Sequence, residues 1–368
     1  MIGPPLRIFL CGDVMTGRGV DQVLPHPGDP QLYERYMDSA LGYVALAERA
    51  NGPIHRPVDP AYVWGEALGE WERRAPLFKI LNLETSVTVS DDFEPKGVNY
   101  RMNPQNAASL AAASPDCCVL ANNHVLDWGA DGLAETLDVL QHLRIPAVGA
   151  GRSAAEAEAA AILDARPGAR IIVAAFCTET SGVPDRWAAG PARPGVNLIE
   201  AGAAAVERLA RTLETLRRPG DVVVASIHWG PNWGYEVPAA HRRFAHALIE
   251  RADVSIVHGH SSHHPMAIEV HEGRLILYGC GDFLNDYEGI SGYEAFRSDL
   301  ALMYFAEVER DGALARLEMV PLQIRKMRLS RPASSDLEWL QQRLDHECRR
   351  FGGRIGRTAE GFALSWRS

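Results

Sequence analysis

Five of the thirteen histidines (His258, His260, His263, His264 and His271) fall within fourteen residues, and His228 closes an apolar run shortly before them. A lone histidine is more often a satisfied core or surface residue than a ligand. A cluster where apolar runs end is different, because imidazole nitrogens joined by carboxylates suit zinc, manganese or iron. Oxygen donors stand at the ends of other apolar runs: Asp13 after 7–10, Glu84 after 78–81, and Asn123 with His124 after 117–120. Two such ions roughly 3.5–4 Å apart would generate a nucleophile near neutral pH.

Each of these apolar runs is four to six residues long and reads as a strand buried on both faces. Helical patterns separate them at 104–113, 131–143, 203–216 and 239–251. Alternating strands and helices predict an α/β fold with a largely parallel sheet, whose ligand site lies at the carboxyl ends of the strands. The polar clusters fall at those ends. Residues 20–76, rich in Pro, Tyr and Trp, read as an inserted lid or helical excursion, and 178–197 as a long loop over the same face. Residues 300–328 alternate as late antiparallel strands. One domain over 1–330 is expected, with 331–368 as a C-terminal helical extension built on a helix at 336–350.

The chain of 368 residues is 46% hydrophobic and 23% charged, with a net charge of −10. That balance argues against a nucleic-acid partner, which needs a basic face for phosphates. No run approaches the ~20 apolar residues needed to cross a bilayer, so no membrane association is expected. The six cysteines show no paired spacing and lie in apolar runs, reading as reduced core residues of a cytoplasmic protein.

Six motifs in order carry a resemblance. They are Gly12-Asp13-Val14-Met15, Asn82-Leu83-Glu84, and Ala121-Asn122-Asn123-His124 with Asp127 and Gly129. Then come His228-Trp229-Gly230 with Glu236, the histidines after Gly259, and Tyr278-Gly279-Cys280-Gly281-Asp282-Phe283. Together they resemble the CapA family of poly-γ-glutamate capsule-biosynthesis proteins, whose fold is similar to calcineurin-like metallophosphoesterases. The resemblance implies a four-layer α/β/β/α metallophosphoesterase-like sandwich. It places metal ligands at Asp13, Glu84 (the bridging position), Asn123, His228 and His260, and at His263 or His264, with His263 preferred. It makes His124 the acid that protonates a leaving group. Three departures from phosphoesterases stand out: Met15 where a ligating histidine is usual, Glu84 in place of Asp, and Ser261-Ser262 lengthening the last histidine motif. Family members acting in capsule assembly are commonly membrane-tethered. With no tether evident here, a free-standing metabolic enzyme is expected.

Other residues carry two readings. Asp127 and Gly129 either orient His124 or cap a helix. Arg18 either clamps an anionic substrate group or forms a salt bridge. Asp282, Asn285 and Asp286 are a functional cluster or a turn, and Trp229 and Trp233 are cleft walls or core. The function expected is a hydrolase using metal-bound hydroxide on a small anionic phosphoester, ester or amide, with one or two divalent ions (Mn, Zn or Fe). The alternatives are γ-glutamyl amide chemistry and a non-catalytic metal-site scaffold.

Overall fold

The computed structural model describes residues 4–165 and 168–366. Its central strand, Leu6–Val14, is buried at every position but one, as a strand covered on both faces must be. On one side it pairs in parallel with Phe78–Leu83, which is followed by Cys117–Val119 and Ala147–Val148. On the other it runs antiparallel to Leu300–Val308, which pairs with Leu314–Ile324. The second sheet is parallel through Ala169–Cys177, Val222–His228, Ile256–His260 and Arg274–Leu277. Antiparallel strands Ala161–Ala165 and Ile268–His271 form its two edges.

Side chains alternate across a strand, so consecutive apolar residues must serve two cores. Ile171, Val173 and Ala175 belong to the large core shared with the first sheet, together with Val222, Val224 and Ile256. Ile172, Ala174 and Phe176 belong to a second core with Val223 and Ala225. There they meet helices Ala203–Leu216 and Ala239–Ala252 through Val206, Leu209, Phe244 and Leu248. On the first sheet, Phe9 meets Trp71 of helix Glu66–Arg74 edge-on at 5.3 Å. The result is the expected four-layer α/β/β/α sandwich. The second sheet has a parallel centre between antiparallel edges, whereas the first is parallel from Leu6–Val14 to its edge at Ala147–Val148 and antiparallel on the other side.

Residues 20–76 contain two helices, Ala40–Asn51 and Glu66–Arg74. Trp71 of the second helix, and Trp64 just before it, pack against Phe283, so this helix covers the first sheet. The end of the chain differs from a purely helical extension. Helix Ser334–Arg349 is followed by a hairpin, Gly353–Thr358 and Gly361–Trp366, which joins the first sheet through Glu318 opposite Ala363. Its strands carry charged residues on the exposed face and short apolar alternation, too weak a pattern to read as sheet. Asp345 of the helix accepts from the Ile355 amide at 2.9 Å and so fixes the hairpin to the helix.

Among the described residues no helix is long and apolar enough to cross a membrane. The six cysteines are buried and free, matching the reduced-core reading. Phe9 is fully buried between Trp71, Phe283 and Phe305, with ring centroids at 5.3–5.9 Å. Phe9→Ala should therefore destabilise the fold by about 3–5 kcal/mol. Chemical denaturation will show the midpoint shift; an unchanged midpoint would contradict this packing.

Candidate metal centre

Parallel register brings the polar residues together at the strand ends. Asp13 lies opposite Asn82 on one side and opposite Asp282 of the short strand Asp282–Leu284 on the other. His228 lies opposite His260. Gly12 allows the close approach: a Cβ there would overlap the Gly281 carbonyl. Asp13 is then held rigidly. Its Oδ1 accepts from Asn82 Nδ2 at 2.7 Å and its Oδ2 from the Ser261 amide at 3.2 Å. Asn82 is in turn fixed by Asn122 Nδ2, at 3.2 Å from its Oδ1.

Two groups of three potential ligand atoms form here: Asp13, His228 and His260, and Asp13, His263 and Asp282. Within each group the atoms lie within 4.8 Å of one another, and all five side chains are buried. The residue common to both is Asp13, whereas the family resemblance puts the bridge at Glu84. Glu84 lies against Asp13 and also faces the histidines, with Oε1 at 3.7 Å from His228 Nε2 and 3.8 Å from His124 Nε2. Asn123 Oδ1 lies 3.0 Å from His228 Nε2. Of the two adjacent histidines, His263 joins the cluster, 2.8 Å from Asp282 Oδ1. His264 turns away, accepting from the Gly234 amide and packing on Phe296. Asp282 is the main addition to the expected ligands. It sits at a strand end, which is a signal, but one a simple turn shares. Met15 is buried, its sulfur 3.7 Å from the Tyr287 hydroxyl.

Proton accounting shows that these residues fit a cation. The Cys11 carbonyl can only accept, so His258 Nε2 donates to it at 2.8 Å. Burial pushes the His258 pKa down to about 4, so the ring is neutral and its Nδ1 is an acceptor. Ser226 therefore donates to His258 Nδ1 at 3.0 Å, and accepts from His260 Nε2 at 2.9 Å. His260 must then present a bare Nδ1. That nitrogen lies 2.8 Å from His228 Nδ1. With its proton on Nδ1, His228 donates to His260 and keeps a bare Nε2 beside the Asn123 side-chain amide; with it on Nε2, the two Nδ1 lone pairs face each other. Either way an imidazole nitrogen inside the cluster keeps a lone pair that a cation can take. Glu84 Oε2 is likewise buried without a hydrogen-bond partner.

Charge points the same way. Burial, reinforced by the Asp282 carboxylate, raises Asp13 to about 7. Burial and then Asp13 hold Glu84 well above the carboxylate range. Burial also drives His228 and His260 well below the usual imidazole range. For His263 burial works downward too, but Asp282, through its charge and its hydrogen bond, outweighs it and the net shift is upward.

His124 stands beside this cluster. Its Nδ1 is 2.6 Å from Asp127 Oδ2, and Asp127 also accepts from the Tyr100 amide at 2.6 Å and from Lys96 Nζ at 2.7 Å. Asp127 thus orients His124, while the helix Gly129–His142 begins after Trp128. Lys96 is an addition that no sequence motif announces, since it comes from an irregular loop. Of the two readings of Arg18, the geometry shows the salt bridge, and a buried one. Arg18 is 3% exposed, donates to Asp286 at 2.8 Å and to Glu34 at 2.9 Å, and stacks on Tyr43, so its fork is already engaged. Trp229 is a core residue stacked on His241. Trp233 stacks on Tyr293 and lines a cavity of about 590 Å³ that also touches His263, Asn232 and Tyr287.

Residues 7–287 match the family described as bacterial capsule synthesis protein PGA_cap. A Mycobacterium tuberculosis protein called a probable polyglutamine synthesis accessory protein is 47% identical over 361 residues, covering 96% of this chain and 95% of its own. The PGA biosynthesis protein CapA of Bacillus subtilis is 27% identical over 321 residues, covering 87% and 72%. In structure the chain is similar to a 5'-nucleotidase precursor from Thermus thermophilus, with a TM-score of 0.44 and 14% identity; the match covers 92% of this chain and 58% of the other. The matched family span includes every strand end that builds the cluster, and on that match the chain belongs to the bacterial capsule synthesis (PGA_cap) family of CapA-like proteins.

Proposed function

We propose that this chain is a metal-dependent hydrolase acting on a small anionic phosphoester, ester or amide. Asp13, Glu84, Asn123, His228, His260 and His263 would hold one or two divalent transition ions (Mn, Zn or Fe), with Asp282 as an added carboxylate. The observation that carries the reading is the gathering of buried potential ligand atoms into two groups that share Asp13, one with His228 and His260 and one with His263 and Asp282, the atoms of each group lying within 4.8 Å of one another. When bound, such an ion would supply Lewis acidity and an acidified water.

The chain's own residues supply the rest. Asp127 accepts the His124 Nδ1 proton in a hydrogen bond, so the neutral ring turns a bare Nε2 toward Glu84. Burial lowers His124 to about 4, against the pull of Asp127, which keeps the ring neutral near pH 7. His124 therefore begins as a proton acceptor, and becomes the acid that serves a leaving group only after taking a proton. Lys96 and the Tyr100 amide hold Asp127 in place for this. The cavity beside His263 is of the size that takes small-molecule ligands.

A second substrate reading is favoured by the names of the relatives, which refer to polyglutamine synthesis and to PGA biosynthesis. Under it the bond acted on is a γ-glutamyl amide, and the same residues serve. Activity on a panel of phosphoesters and γ-glutamyl compounds distinguishes the two; no turnover of either, with metal bound, would favour the scaffold reading.

Three outcomes are expected. Elemental analysis of purified protein should find one to two equivalents of transition metal, greatly reduced in His228→Ala; less than a tenth of an equivalent after growth with added metal would refute the centre. His124→Ala should keep that metal and lose roughly 10²–10⁴ in turnover; loss of metal instead would make His124 a ligand. Ser226→Ala should weaken metal binding by roughly 10–100-fold, because His260 loses the acceptor that keeps Nδ1 bare. Unchanged affinity in a titration would show that the relay does not set the tautomer.

A further inference from the structure

A second group of donors lies away from the strand ends, on the helical face of the second sheet. His246 and Glu250 are four residues apart on helix Ala239–Ala252 and so share one face. His271 ends the edge strand Ile268–His271. The potential ligand atoms of these three residues lie within 4.8 Å of one another. His271 Nε2 is 2.8 Å from Glu250 Oε1. The two imidazoles stack at 3.6 Å with planes 5° apart.

An independent observation fixes the tautomer. His246 Nε2 lies 3.2 Å from Glu269 Oε1, a carboxylate held in place by Arg242 at 2.9 Å and by the Tyr278 hydroxyl at 2.6 Å. A neutral ring with its proton on that side has a bare Nδ1, and a carboxylate behind the imidazole is the usual support of a metal-bound histidine. Two imidazoles and a carboxylate make the donor set of a tetrahedral zinc-class site with its fourth position open to water. We infer that His246, Glu250 and His271 form a second divalent-metal site, which ties helix Ala239–Ala252 to the edge strand. Coordination requires the stacked rings to turn until their nitrogens converge. Both histidine side chains are 21% exposed and Glu250 is 46% exposed, leaving them room to do so. The neighbouring residues Glu269 and Arg242 give the site a fixed floor. Nothing in the hydrolase reading uses these side chains, so the two sites stand or fall separately.

The test is zinc chloride titrated into the chelator-stripped full chain, read by bound-zinc stoichiometry and by thermal unfolding. Wild-type protein should bind one more equivalent than His271→Ala and than Glu250→Gln, and zinc should raise its unfolding temperature by more than it raises theirs. His228→Ala, which removes a ligand of the strand-end cluster, should keep this equivalent and lose it only when His271→Ala is added. Equal stoichiometry and equal thermal response in wild type, His271→Ala and Glu250→Gln would overturn the site. Glu250 is a half-exposed helix residue, so the second variant keeps the test valid if the first folds poorly.

Discussion

Asp13, Glu84 and Asp282 are buried carboxylates gathered at the strand ends with His228, His260 and His263. Burying unpaired charge is expensive, and neighbouring carboxylates raise that cost. Protein groups relieve it only in part, through Asn82, the Ser261 amide and His263, and leave one Glu84 oxygen without a partner. The layers of the sandwich can be understood as the frame that keeps this arrangement from relaxing. The strand ends are locked by parallel register on either side of Asp13, and the two sheets meet where His258 bonds to the Cys11 carbonyl. The cost is borne in the core so that the donors stand ready.

The same constraint sorts residues by role. His258 and Ser226 do not line the cavity beside His263, yet they determine which nitrogen His260 presents. Lys96 fixes Asp127, which fixes His124. Arg18 is drawn into Asp286 and Glu34 because a buried guanidinium needs carboxylates, and the fork that could have gripped substrate is taken by the protein. The Tyr100 hydroxyl donates to Tyr287 at 2.8 Å, extending this polar network toward the cavity wall.

Much of this is legible in the chain itself. Short apolar runs that stop at Asp, Glu, Asn or His identify most of the buried parallel strands and their polar ends, but Ala169–Cys177 runs into Thr178 and escapes that pattern. What sequence spacing does not carry is pairing between distant segments. Asp282 reaches Asp13 only because a three-residue strand inserts beside Leu6–Val14, so nothing in the spacing marks Asp13 as a member of two donor groups. Lys96 arrives from an irregular loop. The terminal hairpin is short, interrupted by Arg354, Arg357 and Glu360, and held by Asp345 of the helix rather than by a pattern of its own. Between His263 and His264, two serines leave the spacing ambiguous, and the choice falls to the His263–Asp282 contact.

The central claim is that the acceptors converging on Asp13 and His228 are arranged around a cation. Anomalous diffraction from crystals of the protein grown with manganese or zinc, recorded at the metal's absorption edge, tests it most directly. The account predicts a peak within bonding distance of an Asp13 oxygen and of His260 Nδ1, with His228 as a third ligand. Metal-replete crystals with no peak at Asp13, and the His228–His260 contact bridged by a proton alone, would contradict it.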